Sequence, residues 1–255
     1  MYKCGLKLWS TNVGAYISEA RRLADAGKIS YVELFVVPDT LEFLPKWRAL
    51  GLPYAIHCAH SMLGFNLADA ALEESNKRIY LQTREYADAL GADSIIFHGG
   101  TGGDIRETAR QLAAFGESRA LLENKPYRAL RNKLGSGFCR GYCAGEIKAV
   151  MDASGCGFCL DFGHAVCAAN SLGREPYEYC AELLALNPSM FHLTDLEDVN
   201  SEFDSHPHFG DGTLDLKKIA AMIRPGARVT VETVKLSKDS LADFERDAEC
   251  LAALS

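Results

Sequence analysis

The chain has 255 residues, 48% hydrophobic and 24% charged, which suits one large domain or two small ones with a buried core. Its formal charge of -7 argues against a generalised nucleic-acid or membrane surface, while leaving room for a local basic site and for bound cations that offset part of the negative count. No N-terminal segment joins a basic start to a long apolar run, none approaches bilayer-spanning length, and nine cysteines without a secretion signal point to a reducing compartment, so a cytoplasmic protein with no membrane partner is expected.

In chain order, a strand is expected at Gly5 to Ser10 and a helix at Ala15 to Ala26, where Ile17, Ala20, Leu23 and Ala24 recur at helical spacing before Gly27. The β-rich run Tyr31 to Phe35 precedes a short helix at Leu41 to Leu50. Strand three is Pro53 to His57, and a long amphipathic helix, Leu72 to Leu90, stops at Gly91. Asp93 to His98 and Ala120 to Asn124 are strands four and five, separated by a helix at about Ile105 to Phe115. Beyond a long loop come a helix at Glu146 to Ala153, strand six at Gly157 to Asp161, a helix at Pro176 to Leu186 and strand seven at Met190 to Leu193. A helix at Leu214 to Ile223, strand eight at Arg228 to Glu232 and a helix at Ser240 to Ala253 close the chain.

Eight strands alternating with eight helices, with no Pro, Gly or Ser-rich linker, describe a single (β/α)₈ barrel over residues 1-255. What stands at the strand ends supports this over an open doubly wound sheet. Strand three ends in His57, four in His98, five in Glu123, six in Asp161 with His164 close behind, seven in His192 and eight in Glu232. The loop after strand seven adds Asp204, His206 and His208. All seven histidines, His60 included, lie at or just past a predicted strand end, and none lies on a predicted helix. One such histidine alone is more often a hydrogen-bonded loop residue than a ligand, and one buried acid alone more often pairs with a base. Six strands delivering imidazoles and carboxylates to one rim are most simply neutralised by a cation, and zinc, manganese and iron suit these donors.

These residues resemble the xylose-isomerase-like barrel superfamily, which includes AP endonuclease family 2, and within it the endonuclease IV branch. The resemblance extends over nearly the whole chain. It rests on Phe97-His98-Gly99, Glu123-Asn124, Asp161-Phe162-Gly163-His164, His192-Leu193-Thr194-Asp195, Gly210-Asp211-Gly212 and Glu232-Thr233. Positions matching all nine ligands of that branch are present: His57, His98, Glu123, Asp161, His164, His192, Asp204, His206 and Glu232. The Asp204-x-His206 pair together with His164 is the narrowest of these signals. By that resemblance, His57 and His98 hold a first zinc, and Glu123 bridges it to a second that also takes Asp161, His192 and Glu232. His164, Asp204 and His206 hold a third. A cluster of this kind activates water and stabilises charge at phosphorus, so hydrolysis of a phosphodiester is the implied activity, with Glu123 and Glu232 as the catalytic acids.

Between Glu123 and Glu146 every charge is positive (Lys125, Arg128, Arg131, Lys133 and Arg140), a loop that could guide an anionic substrate or simply be solvated. Lys125, Arg128, Arg131, His60 and His208 are accordingly candidate substrate-binding residues. The damaged-DNA partner of the endonuclease branch fits less well. Val36 to Thr40, where that branch extends a polar and basic DNA-gripping loop, is short, and the loop after His57 reads His60-Ser61-Met62-Leu63-Gly64. The rival reading is a sugar isomerase or epimerase of the same superfamily, with one ion at Glu123, Asp161, His192 and Glu232 and the two glutamates as acid and base. It leaves His57, His98, Asp204 and His206 without a metal role, and Leu193 to Phe209 lacks the lysine or arginine it wants for the sugar. A non-catalytic metal-binding barrel is the third class. Cys156-x-x-Cys159 has redox-pair spacing but falls on a strand, and Gly99 to Gly103 could cradle a phosphate with its amides.

Overall fold

The computed structural model describes residues 1-129 and 137-254. Eight parallel strands close on themselves in sequence order. They are β1 (Lys3–Trp9), β2 (Tyr31–Phe35), β3 (Tyr54–His57), β4 (Ile95–His98), β5 (Ala120–Glu123), β6 (Gly157–Asp161), β7 (Met190–Leu193) and β8 (Arg228–Val231). Outside them lie α1 (Ala15–Asp25), α2 (Leu44–Leu50), α3 (Glu73–Leu90), α4 (Ile105–Phe115), α5 (Ala144–Ser154), α6 (Phe162–Ser171), α7 (Pro176–Leu184), α8 (Leu216–Met222) and α9 (Ala242–Ala253). The expected (β/α)₈ barrel is thus the observed fold.

One helix was not anticipated. Phe162–Ser171 is buried nearly all round, from Phe162 through Ala169, so its sequence lacks the polar stripe that marks an amphipathic helix. Asp161 starts it by accepting the His164 amide at 2.7 Å. His164 therefore sits in the first turn of a helix, which corrects the expectation that no histidine is helical.

Strand alternation sorts the side chains into two sets. Outward-facing Leu6, Leu34, Ile56, Phe97, Leu122, Phe158 and Phe191 pack beneath the helices in the main core. Trp47 of α2 is fully buried there and donates from its indole nitrogen to Ser10 O at 2.8 Å, tying that helix to the end of β1. Inward-facing Tyr31, Ala55, Ile96, Leu121, Cys159 and Met190 form a separate small cluster that plugs the barrel. Gly5 belongs to this layer because a Cβ there would lie 2.3 Å from the Tyr31 ring.

Two residues beyond each plug residue, on the same inward face, stands a polar one: Glu33, His57, His98, Glu123, Asp161 and His192. Lys7 follows Gly5 and Glu232 follows Thr230 in the same way, so every strand sends one residue to a ring at the C-terminal mouth. The register pairs Lys7 with Glu33, His98 with Glu123 and Asp161 with His192 directly. It steps by two residues where Glu33 meets Ala55, His57 meets Ile96, Glu123 meets Cys159 and His192 meets Thr230. That accumulated stagger tilts the strands and brings residues from different strands to one level.

Candidate metal centre

Glu123 is the hub. Its Oε2 lies 2.9 Å from His57 Nε2 and 3.0 Å from His98 Nε2, and 3.6 Å from His192 Nδ1. The other oxygen, Oε1, is 3.0 Å from His164 Nδ1. Burial alone would raise the Glu123 carboxyl, but the positive charge of His98 and His192 and the adjoining His164 imidazole hold it well below the usual carboxylate range.

Three of the imidazoles have a fixed orientation. His57 turns Nδ1 to the Cys58 carbonyl at 2.7 Å, leaving Nε2 for the cluster. His164 turns Nδ1 to the Asn124 carbonyl at 2.9 Å, leaving Nε2 facing Asp204 Oδ2 at 3.1 Å. His192 donates from Nε2 to Glu33 Oε2 at 2.9 Å, so Nδ1 faces the pocket, 2.9 Å from Glu232 Oε1. A second nitrogen held in this way is the common arrangement behind metal-binding histidines. Asn124 locks the junction of β5 and β6, accepting the Asp161 amide at 2.7 Å and donating to its carbonyl at 2.8 Å.

The loop after β7 is pinned by Asp195, which is 1% exposed and accepts amides from Leu196, Gly210, Gly212 and Leu214 at 2.8 to 3.2 Å. Gly212 is required because a Cβ there would stand 2.2 Å from Leu196 O. The loop so anchored carries Asp204, whose Oδ2 is 2.8 Å from His206 Nε2.

Among the described residues, three sets of donors close to within 4.8 Å: His57, His98 and Glu123; Glu123, Asp161 and His192; and Glu33, His192 and Glu232. His164, Asp204 and His206 are not such a set. Glu123 Oε1, Asp161 Oδ2, His192 Nδ1 and Asp204 Oδ1 are buried with no hydrogen-bond partner among the described residues. Unpartnered polar atoms at such density are costly to bury unless a cation meets them, so the donor set around Glu123 fits divalent metal. Burial pushes the Asp161 carboxyl up to about 6, with Glu123, Asp204 and Glu232 adding to the rise against His164.

Two ring members were missed in the sequence, Lys7 and Glu33. Lys7 Nζ bridges Glu33 Oε1 at 2.5 Å and Glu232 Oε1 at 2.6 Å. Glu33 also accepts from Thr230 Oγ1 at 2.6 Å, which leaves Thr230 Oγ1 to accept from Tyr31 Oη at 2.8 Å. Despite full burial, His192 and Lys7 hold the Glu33 carboxyl at about 2. The available signal was a charge at an inward position of an otherwise apolar strand.

The ring opens into a cavity of about 560 Å³. Lys125, Arg128 and His60, three of the candidate substrate-binding residues, line it, together with Trp9, Phe35 and Lys235. His60 stacks on His98 with ring centroids 5.9 Å apart, and burial lowers its pKa to about 4, so it is neutral. Arg128 also forms an ion pair with Glu202 across the mouth. His208 is a correction. It is buried away from the cavity, with Nδ1 2.7 Å from Asp247 Oδ2 of α9, and therefore braces the barrel exterior. Arg131 and Lys133 lie outside the described residues. The glycine turn Gly99 to Gly103 offers no free phosphate cradle at Thr101 and Gly102, whose amides donate to Asn66 Oδ1 at 3.0 Å and Phe138 O at 2.7 Å. All nine cysteines are free thiols, and Cys159 is part of the barrel plug.

Fold and ring together define a (β/α)₈ barrel with a candidate polynuclear metal centre at its C-terminal mouth. Residues 20–254 match the family model described as xylose isomerase-like TIM barrel, and the chain belongs to that family. A probable endonuclease 4 of Nitratidesulfovibrio vulgaris (strain DP4) is 30% identical over 200 residues, covering 69% of this chain and 67% of that protein. Endonuclease IV from Thermus thermophilus superposes with a TM-score of 0.71 at 20% identity, covering 99% of this chain and 100% of that one. A D-tagatose 3-epimerase-like protein superposes with a TM-score of 0.69 at 16% identity, covering 98% of this chain and 96% of that one. No helix among the described residues is long and apolar enough to cross a membrane.

Proposed function

We propose that this chain is a metal-dependent phosphodiester hydrolase of the endonuclease 4 type that works on a compact substrate. The observation that carries the reading is the position of Glu123. One carboxylate lies within 3.0 Å of both His57 and His98 and closes a second donor set with Asp161 and His192. A bridging acid of this kind serves two ions. His57, His98 and Glu123 would hold one, and Glu123, Asp161, His192 and Glu232 the other. Bound zinc, manganese or iron would supply Lewis-acid activation of water and offset charge at phosphorus.

The chain's own residues do the rest. Asp161 and Glu123 hold the donor sets in register through Asn124 and β5. His60 is neutral, and its Nδ1 accepts the Met62 amide at 3.3 Å, so Nε2 carries the proton it can donate to a phosphoryl oxygen. Lys125 and Arg128 supply positive charge on the cavity wall, and Trp9, 45% exposed and 5.1 Å from Phe35, offers a face for a planar or apolar substituent. The cavity volume and the short Val36 to Thr40 connection suit a small diester better than a duplex.

The endonuclease 4 relatives favour this reading. The single-ion sugar isomerase or epimerase remains the second reading, because Glu123, Asp161, His192 and Glu232 stand together and an epimerase-like protein shares the fold. Lys7 at 2.6 Å argues against it, since the ammonium joins His192 in holding Glu232 well below the usual carboxylate range, although burial opposes this, and so weakens it as a proton acceptor. The test is turnover of the zinc- or manganese-loaded protein on bis(p-nitrophenyl) phosphate, an abasic-site duplex and a panel of ketohexoses. Diester hydrolysis lost with chelator is expected. Epimerisation of a ketohexose without any diester hydrolysis would replace this reading with the second.

A further inference from the structure

The inward parity that makes the polar ring continues one step above it. Trp9 and Phe35, two residues beyond Lys7 and Glu33, end β1 and β2 side by side in the register, and their ring centroids are 5.1 Å apart. Val234 stands two residues beyond Glu232, fixed by its amide, which donates to His206 O at 3.0 Å. All three line the cavity, and so does Met62 from the loop after β3. Because β8, β1 and β2 are neighbours in the closed barrel, these side chains make a continuous apolar wall on one side of the mouth. On the other side, the residues two beyond His98 and Glu123 are Gly100 and Lys125, one without a side chain and one charged.

Trp9, Met62 and Val234 are 45%, 40% and 46% exposed, an arrangement that water disfavours and that marks a surface meant for a ligand. The wall reaches the donors themselves, since the Phe35 ring centroid lies 5.3 Å from that of His57 and 5.2 Å from that of His60. A group resting on it can therefore belong to the same molecule that the donors hold. The cavity is poorly suited to a polyanion, because most of its cations are matched within the protein. Lys7 bridges Glu33 and Glu232, Arg128 pairs with Glu202, and Lys235 Nζ donates to Thr233 O at 2.5 Å. We propose that the substrate has two unlike ends: one anionic group at the metal centre, and an apolar substituent, aryl or branched alkyl, against Trp9, Phe35, Met62 and Val234. This rests on the reading of the ring as a metal-bound phosphoester site, and adds to it the class of ester.

The test is calorimetric titration of the zinc-loaded protein with methylphosphonate and benzylphosphonate, which share an anionic head and differ by a phenyl ring. Benzylphosphonate should bind at least about 10-fold more tightly, the scale expected for burying part of one ring. That ratio should fall to about 3 or less in Trp9→Ala and in Val234→Ser, each of which removes part of the wall. It should keep its wild-type value in Leu81→Ser, a change of an exposed apolar residue on α3. Trp9 is one of two tryptophans and Trp47 is fully buried, so a change in emission with benzylphosphonate, absent in Trp9→Ala, should locate the phenyl group. A wild-type ratio near one overturns the proposal, as does a ratio that neither wall variant changes. Diester hydrolysis is scored separately. Its absence with the ratio intact removes the hydrolase reading and leaves the two-ended ligand, whereas hydrolysis with a ratio near one does the reverse.

Discussion

Glu33 of β2 accepts the Nε2 proton of His192 of β7 at 2.9 Å, reaching past two intervening strands at the barrel mouth. This bond, not the sequence neighbourhood of His192, decides which of its nitrogens faces the candidate centre. Glu33→Ala should free the ring to rotate and also strip Lys7 of one partner. A loss of metal affinity of about 10 to 100-fold is expected, the usual effect of removing such a support. Competition with a fluorescent zinc chelator measures it, and an unchanged affinity would remove Glu33 from the site.

Glu123→Gln should be more severe. The amide presents one oxygen in place of two, and its NH₂ group would oppose any imidazole N–H directed at it. Both donor sets that share Glu123 should lose affinity together, and turnover should fall by at least about 10³-fold, the scale on which electrostatic stabilisation of a transition state is lost. Metal analysis alongside rate measurement checks this. Retention of full metal and rate would show that Glu123 bridges nothing.

Metal uptake should release protons. Burial would lower the His192 pKa, but the negative charges around it, Glu232, Glu33 and Glu123 among them, raise it well above the ordinary value. The metal-free protein at pH 7.5 thus keeps a proton on this imidazole that a bound ion must displace. At least one proton per chain should be released, and affinity should rise with pH. Calorimetric titration with zinc in buffers of different ionisation enthalpy counts the protons, and a buffer-independent heat would contradict the prediction.

Asp247 offers a stability test away from the centre. It is 2% exposed and accepts from His208 Nδ1 at 2.7 Å, Thr233 Oγ1 at 2.6 Å and the Phe209 amide at 3.0 Å. Asp247→Ala should leave these donors buried and unpaired, costing about 3 kcal/mol in all, or about 10 °C in Tm for a chain of this size. Calorimetry should show the drop while zinc content stays at the wild-type value. A loss of zinc equal to that of Glu123→Gln would mean that His208 belongs to the site after all.

Six of the eight ring positions were legible because they close predicted strands: His57, His98, Glu123, Asp161, His192 and Glu232. Lys7 and Glu33 escaped because β1 and β2 run on past them to Trp9 and Phe35, so they do not mark a strand end. Their cue was parity, each standing two residues beyond an inward plug position. His208 was placed at the site because it follows His206 closely, yet only Asp247, 39 residues away, shows which way the ring turns. The helix carrying His164 was invisible for a different reason, since a segment buried on all sides has no polar stripe to reveal its period. Lys125 was legible as a cation near the mouth, but not as a neighbour of His164, because that contact depends on how α6 follows β6.

A ring drawn one residue per strand ties metal chemistry to the reading frame of the barrel. Deleting a single residue inside any strand before its ring member would turn that member outward, into the aliphatic layer under the helices, and bring a leucine or phenylalanine to the mouth instead. Loops that carry no donor and line no part of the cavity can be changed with only local consequences. Within its strands, by contrast, an error of one position is also an error of chemistry.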